Sequence, residues 1–552
     1  MSNERDTRKS RRKVRSVAPL DEQYDAIVIG SGIGGLTTAA LLSKNGLKVL
    51  VLEMHYEVGG CATIFERNGK GQGYQFDVGF HYLGDCGDNG LLPCILESLE
   101  IDPLTFIEQE PSGFDRFCFP DFDFLVPRDI EEYRERLKEC FPKEAAGIDR
   151  YVEMLRQVWQ LMQFNKAPLK SLWVLPKSLL ALKFKDATLA EFLDSCTSDP
   201  QLRAVIAGQH GLYLQPPSRA SLMLHAGVAT HLFKGAYYPS TGGQVLSDRL
   251  AEKIEENGGT ILLRAKVRRI IVEKGRVTGV EFDSKLVGPM TVKAPLVVSN
   301  ADPKQTFLDL VGETNISKKL STKVKDYEMS PAFCIAYLGV DMDFNKNSWK
   351  NANLHIFPDY DMESVYADCR ANRFSTAPHV FVSNVMLKDP QNTDAAPEGI
   401  ANLQVMAMAP SSFEAWGTTR DAFLDGTYRH SKAYIATKDQ YADTMLRQVN
   451  RVIPGIADRV VYREISSPLT MMRYTGASNG TSYGLALTPQ QFLGNRPDAK
   501  TSVKGLYLCG VSTRNGHGIY GALMSGVEAF GAICGRGARA KVIKKSVSYV
   551  LR

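Results

Sequence analysis

The chain has no stretch of about 20 consecutive apolar residues, so a membrane-spanning helix is not expected. Its ten cysteines include no C-x-x-C pair, which argues against zinc knuckles and against a disulfide framework. Reduced thiols in a cytoplasmic compartment are the simpler expectation. An excess of one charge is also missing: the formal net charge is only +5 over 552 residues. Much of that excess lies at the extreme N-terminus, where Arg5, Arg8, Lys9, Arg11, Arg12, Lys13 and Arg15 face only Glu4 and Asp6. The body is therefore near neutral, and nucleic-acid binding is not expected. The leader, residues 1–23, has no apolar run before Val17, so it lacks a secretory signal and reads as a solvated, disordered segment. Neither an H-E-x-x-H nor a Walker pattern occurs, which leaves metalloprotease and NTPase readings without support.

What is present is an average globular composition, 44% apolar and 23% charged, enough for a large core and two or three domains. Residues 24–53 read YDAIVIGSGIGGLTTAALLSKNGLKVLVLE. Asp25 to Ile29 is a short apolar strand of the kind found in a buried parallel sheet. Gly30, Gly32 and Gly35 follow as G-x-G-x-x-G, with Ile33 and a further Gly34 inside the run. Leu36 to Lys44 predicts a helix closed by Gly46, and Lys48 to Leu52 a second strand ending at Glu53. Each part has a physical task. Gly30 permits the tight turn, Gly32 lets the backbone approach a diphosphate, and Gly35 lets helix and strand pack closely. The helix start offers free N–H groups to the phosphates, and Glu53 is placed to accept from ribose hydroxyls. Strand, turn, helix, strand and acid all fall where a dinucleotide needs them.

The glycine fingerprint does not choose between dinucleotides, but the residues beyond it do. After Glu53 come Gly59-Gly60, Thr63 and the segment Tyr74 to Gly79. This arrangement resembles the flavoprotein superfamily of amine oxidases and phytoene desaturases, in which the double glycine extends the cofactor surface. Pro239 to Gly243 leads into an amphipathic helix, Val245 to Asn257, with Leu246, Leu250 and Ile254 on one face. Strands are expected at 260–263, 267–273 and 276–282, and in the family the residue at the position of Val267 contacts the adenine through its backbone. Leu296 to Pro303 contains V-V-S-N-A-D-P, which is similar to a signature of carotenoid-desaturase-like proteins. Near the C-terminus, an apolar strand ends at Gly510, and Asn515 to Gly526 opens a helix. The resemblance puts Gly510, Gly518 and Ile519 beside the flavin, whose reduced form carries negative charge that a helix start stabilises. Val511 departs from the pattern, since many relatives carry Asp there.

Residues 24–535 thus resemble the phytoene desaturase, carotenoid isomerase and retinol saturase group. Phe76 to Gly84 looks most like the retinol saturase branch, and Tyr474-Thr475-Gly476, Gly480 and Tyr483-Gly484 look like the group's late substrate-side segment. The resemblance implies an α/β fold: a Rossmann-type FAD-binding domain of the glutathione-reductase-like, amine oxidase/phytoene desaturase type, interleaved with an α+β substrate domain. The expected divisions are 24–119, 239–310 and 496–552 for the FAD-binding domain, with 120–238 and 311–495 for the substrate domain. It implies FAD as cofactor, NAD(P)H or quinone as a transient electron partner, and an apolar substrate whose C=C bonds are desaturated, saturated or isomerised. The alternatives are a reductive cyclase or reductase of a polyketide polyene, a flavin amine oxidase, and a non-catalytic lipid-binding escort of the same fold.

Catalytic candidates are His81, His517 and Tyr520, because a histidine near neutral pKa can give or take a proton. His210, His225 and His231 lack metal-ligand spacing and read as structural. The segment 164–185 mixes Leu, Trp and Phe with five lysines, a composition suited either to peripheral membrane contact or to ordinary surface helices. No metal site is expected, and oligomeric state stays open.

Overall fold

The computed structural model describes residues 20–69, 72–87, 90–166, 177–344 and 349–550. The basic leader up to residue 19 and residues 167–176 of the Lys-rich segment lie outside the described residues.

A five-stranded parallel sheet carries the glycine motif. In spatial order its strands are Thr260–Leu262, Val49–Leu52, Ala26–Ile29, Leu296–Ser299 and Leu506–Leu508. The three inner strands are almost wholly aliphatic because both faces are covered. Ala26, Val28, Val49 and Val51 pack with Leu36, Leu250 and Val527 from the helices Ile33–Lys44, Gln244–Glu256 and Gly518–Cys534. The alternate residues Ile27, Ile29, Leu50 and Leu52 pack on the other side with Val267, Ile270, Val280 and Phe282. Those come from an antiparallel sheet of Ala265–Glu273, Arg276–Ser284 and Gly288–Lys293. The third of these strands has no counterpart in the sequence reading, and Thr260–Leu262 belongs to the parallel sheet rather than to the hairpin.

The second body is a seven-stranded mixed sheet in the order Val460–Ser466, Ala332–Val340, Ala401–Ala409, Val380–Asn384, Asn353–Ile356, Asp115–Cys118 and Asp123–Val126. Asp115–Cys118 joins this sheet although 120 was the expected boundary, so the chain crosses over earlier. Pro111, Gly113 and Pro120 mark turns on either side of this four-residue strand, but nothing local says which sheet it joins. One face of the sheet, including Ala336, Leu338 and Val405, is covered by Tyr434, Tyr441, Met445 and Val449 of the helix Lys432–Val452. The opposite face presents Phe333, Ile335, Tyr337, Phe381, Met406 and Met408 to a cavity shared with the glycine motif. Helices Ala145–Lys166, Pro200–Ala207 and Leu222–Leu232 pack beside it around Phe117 and Phe124. Among the described residues no helix is long and apolar enough to cross a membrane.

Candidate active site

Gly30 leaves its strand at φ +89°, a conformation open to glycine and strained for other residues. Gly32 then caps the helix Ile33–Lys44 without a side-chain hydrogen bond, and the first turn contains no acid. Its leading N–H groups are thus left for an anion. A Cβ on Gly35 would lie 2.1 Å from the Gly30 carbonyl oxygen, the close helix–strand approach that the motif requires. A second turn, with Gly59 at φ +114° and Gly60 at φ +61°, is tied to the first by the Gly59 N–H donating to the Ser31 carbonyl at 2.9 Å.

Glu53 is buried, with 6% of its surface exposed, and lines the cavity. One carboxylate oxygen accepts from both the N–H and the hydroxyl of Ser31, each at 2.7 Å, and the other accepts from the His55 N–H at 2.7 Å. These bonds aim the carboxylate while leaving lone pairs for hydroxyls of a bound molecule. Val267 lines the same end of the cavity.

The other wall is the chain from 509 to 520. The Gly510 N–H donates to Ser525 Oγ at 2.7 Å, and Arg496 holds the loop from beneath. Its guanidinium donates to the carbonyls of Val511 (2.6 Å), Thr513 (3.0 Å) and Leu485 (3.2 Å). Burial pulls this arginine down to about 9. The helix Gly518–Cys534 starts after His517 with no side-chain cap and no acid in its first turn. Gly518 sits at φ +55°, and no atom lies within 4 Å of where its Cβ would be. Two bare helix starts and an oriented acid thus line one continuous cavity, the donor set a dinucleotide requires.

Asn300 joins the two walls. Its backbone N–H donates to the Ile29 carbonyl at 2.8 Å, and its side chain lies against Gly30, Gly32, Gly34 and Gly510.

Deeper in, His81, Tyr82, His231, His517 and Tyr520 line the cavity. Nδ1 of His81 and Nδ1 of His517 are buried without a partner. Burial, reinforced by Lys388, holds His81 down at about 3. For His517 the causes are burial, then Arg496 and His231, again reaching about 3. Both imidazoles are therefore neutral at physiological pH. Lys388 itself is buried, donating from Nζ to the His81 carbonyl at 2.6 Å and to Ser383 Oγ at 2.8 Å. Burial lowers it to about 7, with Asp77 and Asp115 opposing the fall.

The residues read from the sequence converge here, with one exception. Gly30, Gly32, Ile33, Gly34, Glu53, Gly59, Gly60, Thr63, Val267, Gly510, Gly518 and Ile519 line the cavity, as do His81, His517 and Tyr520. Gly35 does not line it and acts through helix packing alone. His225 is structural, bonded between the hydroxyls of Tyr151 (2.8 Å) and Tyr213 (3.0 Å). His210, bonded through Nδ1 to the Tyr366 hydroxyl (2.6 Å), and His231, whose Nε2 accepts from the Gly84 N–H (3.0 Å), make structural bonds too, but both also line the cavity. Lys388 and Arg496 had no local signature, while Asn300 stood inside the S-N-A-D-P run without an assigned task. Gly476 to Gly480 spells G-x-S-x-G, the spacing of a hydrolase nucleophile elbow. Here it follows the helix Pro468–Thr475 rather than a strand, and the Ser478 N–H donates to Asp302, so it forms no such elbow.

A family described as an NAD(P)-binding Rossmann-like domain matches residues 28–98. The all-trans-retinol 13,14-reductase of Danio rerio is 30% identical over 517 residues, covering 89% of this chain and 83% of that protein. The chloroplastic prolycopene isomerase of Daucus carota is 29% identical over 532 residues, covering 92% and 79%. Among solved structures, cyclohexylamine oxidase from Brevibacterium oxydans shares the fold, with a TM-score of 0.58, 15% identity, and coverage of 96% of this chain and 100% of that one. The chain belongs to the phytoene desaturase, carotenoid isomerase and retinol saturase family of FAD-dependent oxidoreductases.

Proposed function

We propose that this enzyme holds FAD across its two glycine turns and moves hydrogen at C=C bonds of a long, apolar polyene or isoprenoid. The observation that carries this reading is the continuity of the cavity. It passes from the bare helix starts at Gly32 and Gly518 into a compartment walled by Phe333, Ile335, Tyr337, Phe381, Met406 and Met408.

The named glycines, Thr63 and Val267 would form the cofactor surface, with Glu53 accepting from adenosine ribose hydroxyls. When bound, the flavin supplies a centre that accepts or donates hydride at N5. The chain's own part is to exclude water, fix the polyene against that centre and handle a proton. Neutral His81 and His517 line the cavity, and each keeps a buried ring nitrogen without a partner, which suits them to take a proton or a hydrogen bond from the reacting region. Tyr520 packs edge-on against His231 at 4.7 Å and helps fix the same wall. The expected domain division serves this arrangement, the parallel sheet presenting the cofactor and the mixed sheet walling the substrate.

With one glycine fingerprint in the chain, the electron partner, NAD(P)H or a quinone, docks transiently rather than in a second nucleotide domain. Entry of an apolar substrate from a membrane surface is supported by Leu179 and Leu182, 68% and 37% exposed on a short helix that ends at Lys183. Vesicle flotation checks that contact.

Purified protein should show a visible flavin absorption band, and incubation with a polyene panel should shift product mass by two hydrogens. Unchanged mass with altered retention would instead mean isomerisation. Colourless protein with no altered product would overturn the reading and favour a lipid escort. The amine-oxidase alternative is supported by fold likeness only, whereas the sequence relatives are named for retinoid and carotenoid chemistry.

A further inference from the structure

The cavity opens to solvent through a closed ring of side chains, all of which line it. Tyr56 stands beside Arg67, whose guanidinium donates to both carboxylate oxygens of Glu464 at 2.7 and 2.9 Å. Glu464 neighbours Lys438, and Lys438 Nζ lies 5.0 Å from the centre of the Tyr434 ring. Tyr434 packs on Tyr428 at 5.1 Å, and Tyr428 stands beside Arg429 and Arg473. Arg473 lies over Tyr474 at 5.7 Å, Tyr474 meets His55 edge-on at 5.0 Å, and His55 returns to Tyr56 at 4.2 Å. Tyr56 and Tyr474 are 48% and 41% exposed, so the ring is a mouth and not an inner wall.

This mouth serves the substrate compartment. Along the strand Val460–Ser466, Glu464 pairs directly with Tyr337 and Ser466 with Ile335, two residues of the apolar wall. The charge of the ring is one-sided: Arg67, Arg429, Lys438 and Arg473 face the single acid Glu464, which Arg67 already engages. Among the described residues the other three cations have no carboxylate partner. Arg429 Nε donates to the Gly426 carbonyl and Lys438 Nζ to the Ile465 carbonyl, each at 3.1 Å, while Arg473 rests on its tyrosine. The body of the chain is near neutral, so three unpaired cations at one opening are a local excess that attracts anions. A long apolar molecule held inside leaves one end at the mouth. A carboxylate at that end keeps its contact with water and gains charge-assisted hydrogen bonds from the guanidiniums. An alcohol or a hydrocarbon leaves those cations without a counter-charge.

We propose that Arg429 and Arg473, with Lys438, form a head-group site for a carboxylate, so that this enzyme takes a polyene acid tail-first and holds its charged end at the mouth. The inference rests on the polyene reading above and narrows its substrate class.

Matched pairs test it with the flavin-loaded protein: retinoic acid against its methyl ester, and parinaric acid against its methyl ester. Binding is read by quenching of protein fluorescence, and turnover by product mass. At low salt the acid should bind about 5-fold or more tighter than its ester in at least one pair, and about 0.5 M salt should shrink that difference. Joint Arg429→Gln and Arg473→Gln substitution should bring the preference to within about 2-fold. Joint Arg429→Lys and Arg473→Lys substitution keeps both charges and should retain part of it, which separates head-group binding from misfolding. Glu464→Gln releases Arg67 and should raise the preference about 2-fold, a change that a merely structural role would not produce. Equal affinity of acid and ester in both pairs, with either still converted, would overturn the head-group site and leave the polyene reading standing. Loss of flavin on desalting from the glutamine variant would assign the arginines to the cofactor and overturn it as well. Binding and conversion of none of the four would remove the polyene reading and this inference with it.

Discussion

The side-chain amide of Asn300 fills the space that a side chain on Gly32 would need: a Cβ there would lie 2.6 Å from Asn300 Nδ2. The same amide oxygen would stand 2.8 Å from a Cβ on Gly34 and 2.7 Å from one on Gly510. One buried side chain thus spaces two glycine segments that are far apart in the chain.

Gly34→Ala should therefore damage the cradle, since its Cβ would also meet the Gly510 backbone nitrogen at 2.8 Å. We expect a loss of about 1–3 kcal/mol in stability and poor flavin retention after desalting. Gly46→Ala is the control: its φ is +87° but nothing lies within 4 Å. It should cost about 1 kcal/mol with flavin retained. Urea unfolding and flavin absorbance measure both.

Glu53→Gln keeps the shape of the side chain but removes the charge that Ser31 and His55 orient. Flavin should dissociate about 10-fold more readily, as read by release of free-flavin fluorescence on dilution. Unchanged retention would mean that Glu53 serves the fold and not the cofactor.

Lys388 positions His81 through its carbonyl rather than touching substrate. Lys388→Met should lower kcat about 10-fold while leaving flavin content intact. Because the ammonium is held near 7, the wild-type kcat profile should bend there, and the variant's should not. A bend that persists in the variant belongs to another group.

Acid should unfold the protein through its buried histidines. His81, His210, His225 and His517 are held at about 3 by burial, against about 6.5 in the unfolded chain. Between those values the unfolded chain binds the extra protons, so stability is present above about 6.5 and is lost as pH falls toward 3. Urea midpoints should drop steadily below neutrality. His225→Gln, away from the cavity, should reduce the slope.

The glycine turns, Glu53 and the strand–helix–strand order were legible because their requirements are local. A positive φ, an uncapped helix start and an apolar four-residue strand are each written within about 30 contiguous residues. The third strand of the small sheet, Gly288–Lys293, was missed because it opens on Gly288-Pro289, a turn signal, and buries only Val292 of its six residues. The crossing into the mixed sheet at Asp115 was missed because its pairing with Asn353–Ile356 is decided by chain far downstream.

By itself the sequence determined that a glycine turn follows the first strand and that an acid stands at the end of the second. Only the tertiary structure brought Lys388 under His81, Arg496 under the loop from Val511 to Thr513, and His210 against His379. The reason is physical: backbone demands leave a signature at the residue that meets them. A buried imidazole or ammonium takes its role from neighbours hundreds of positions away, and nothing in its own segment records them.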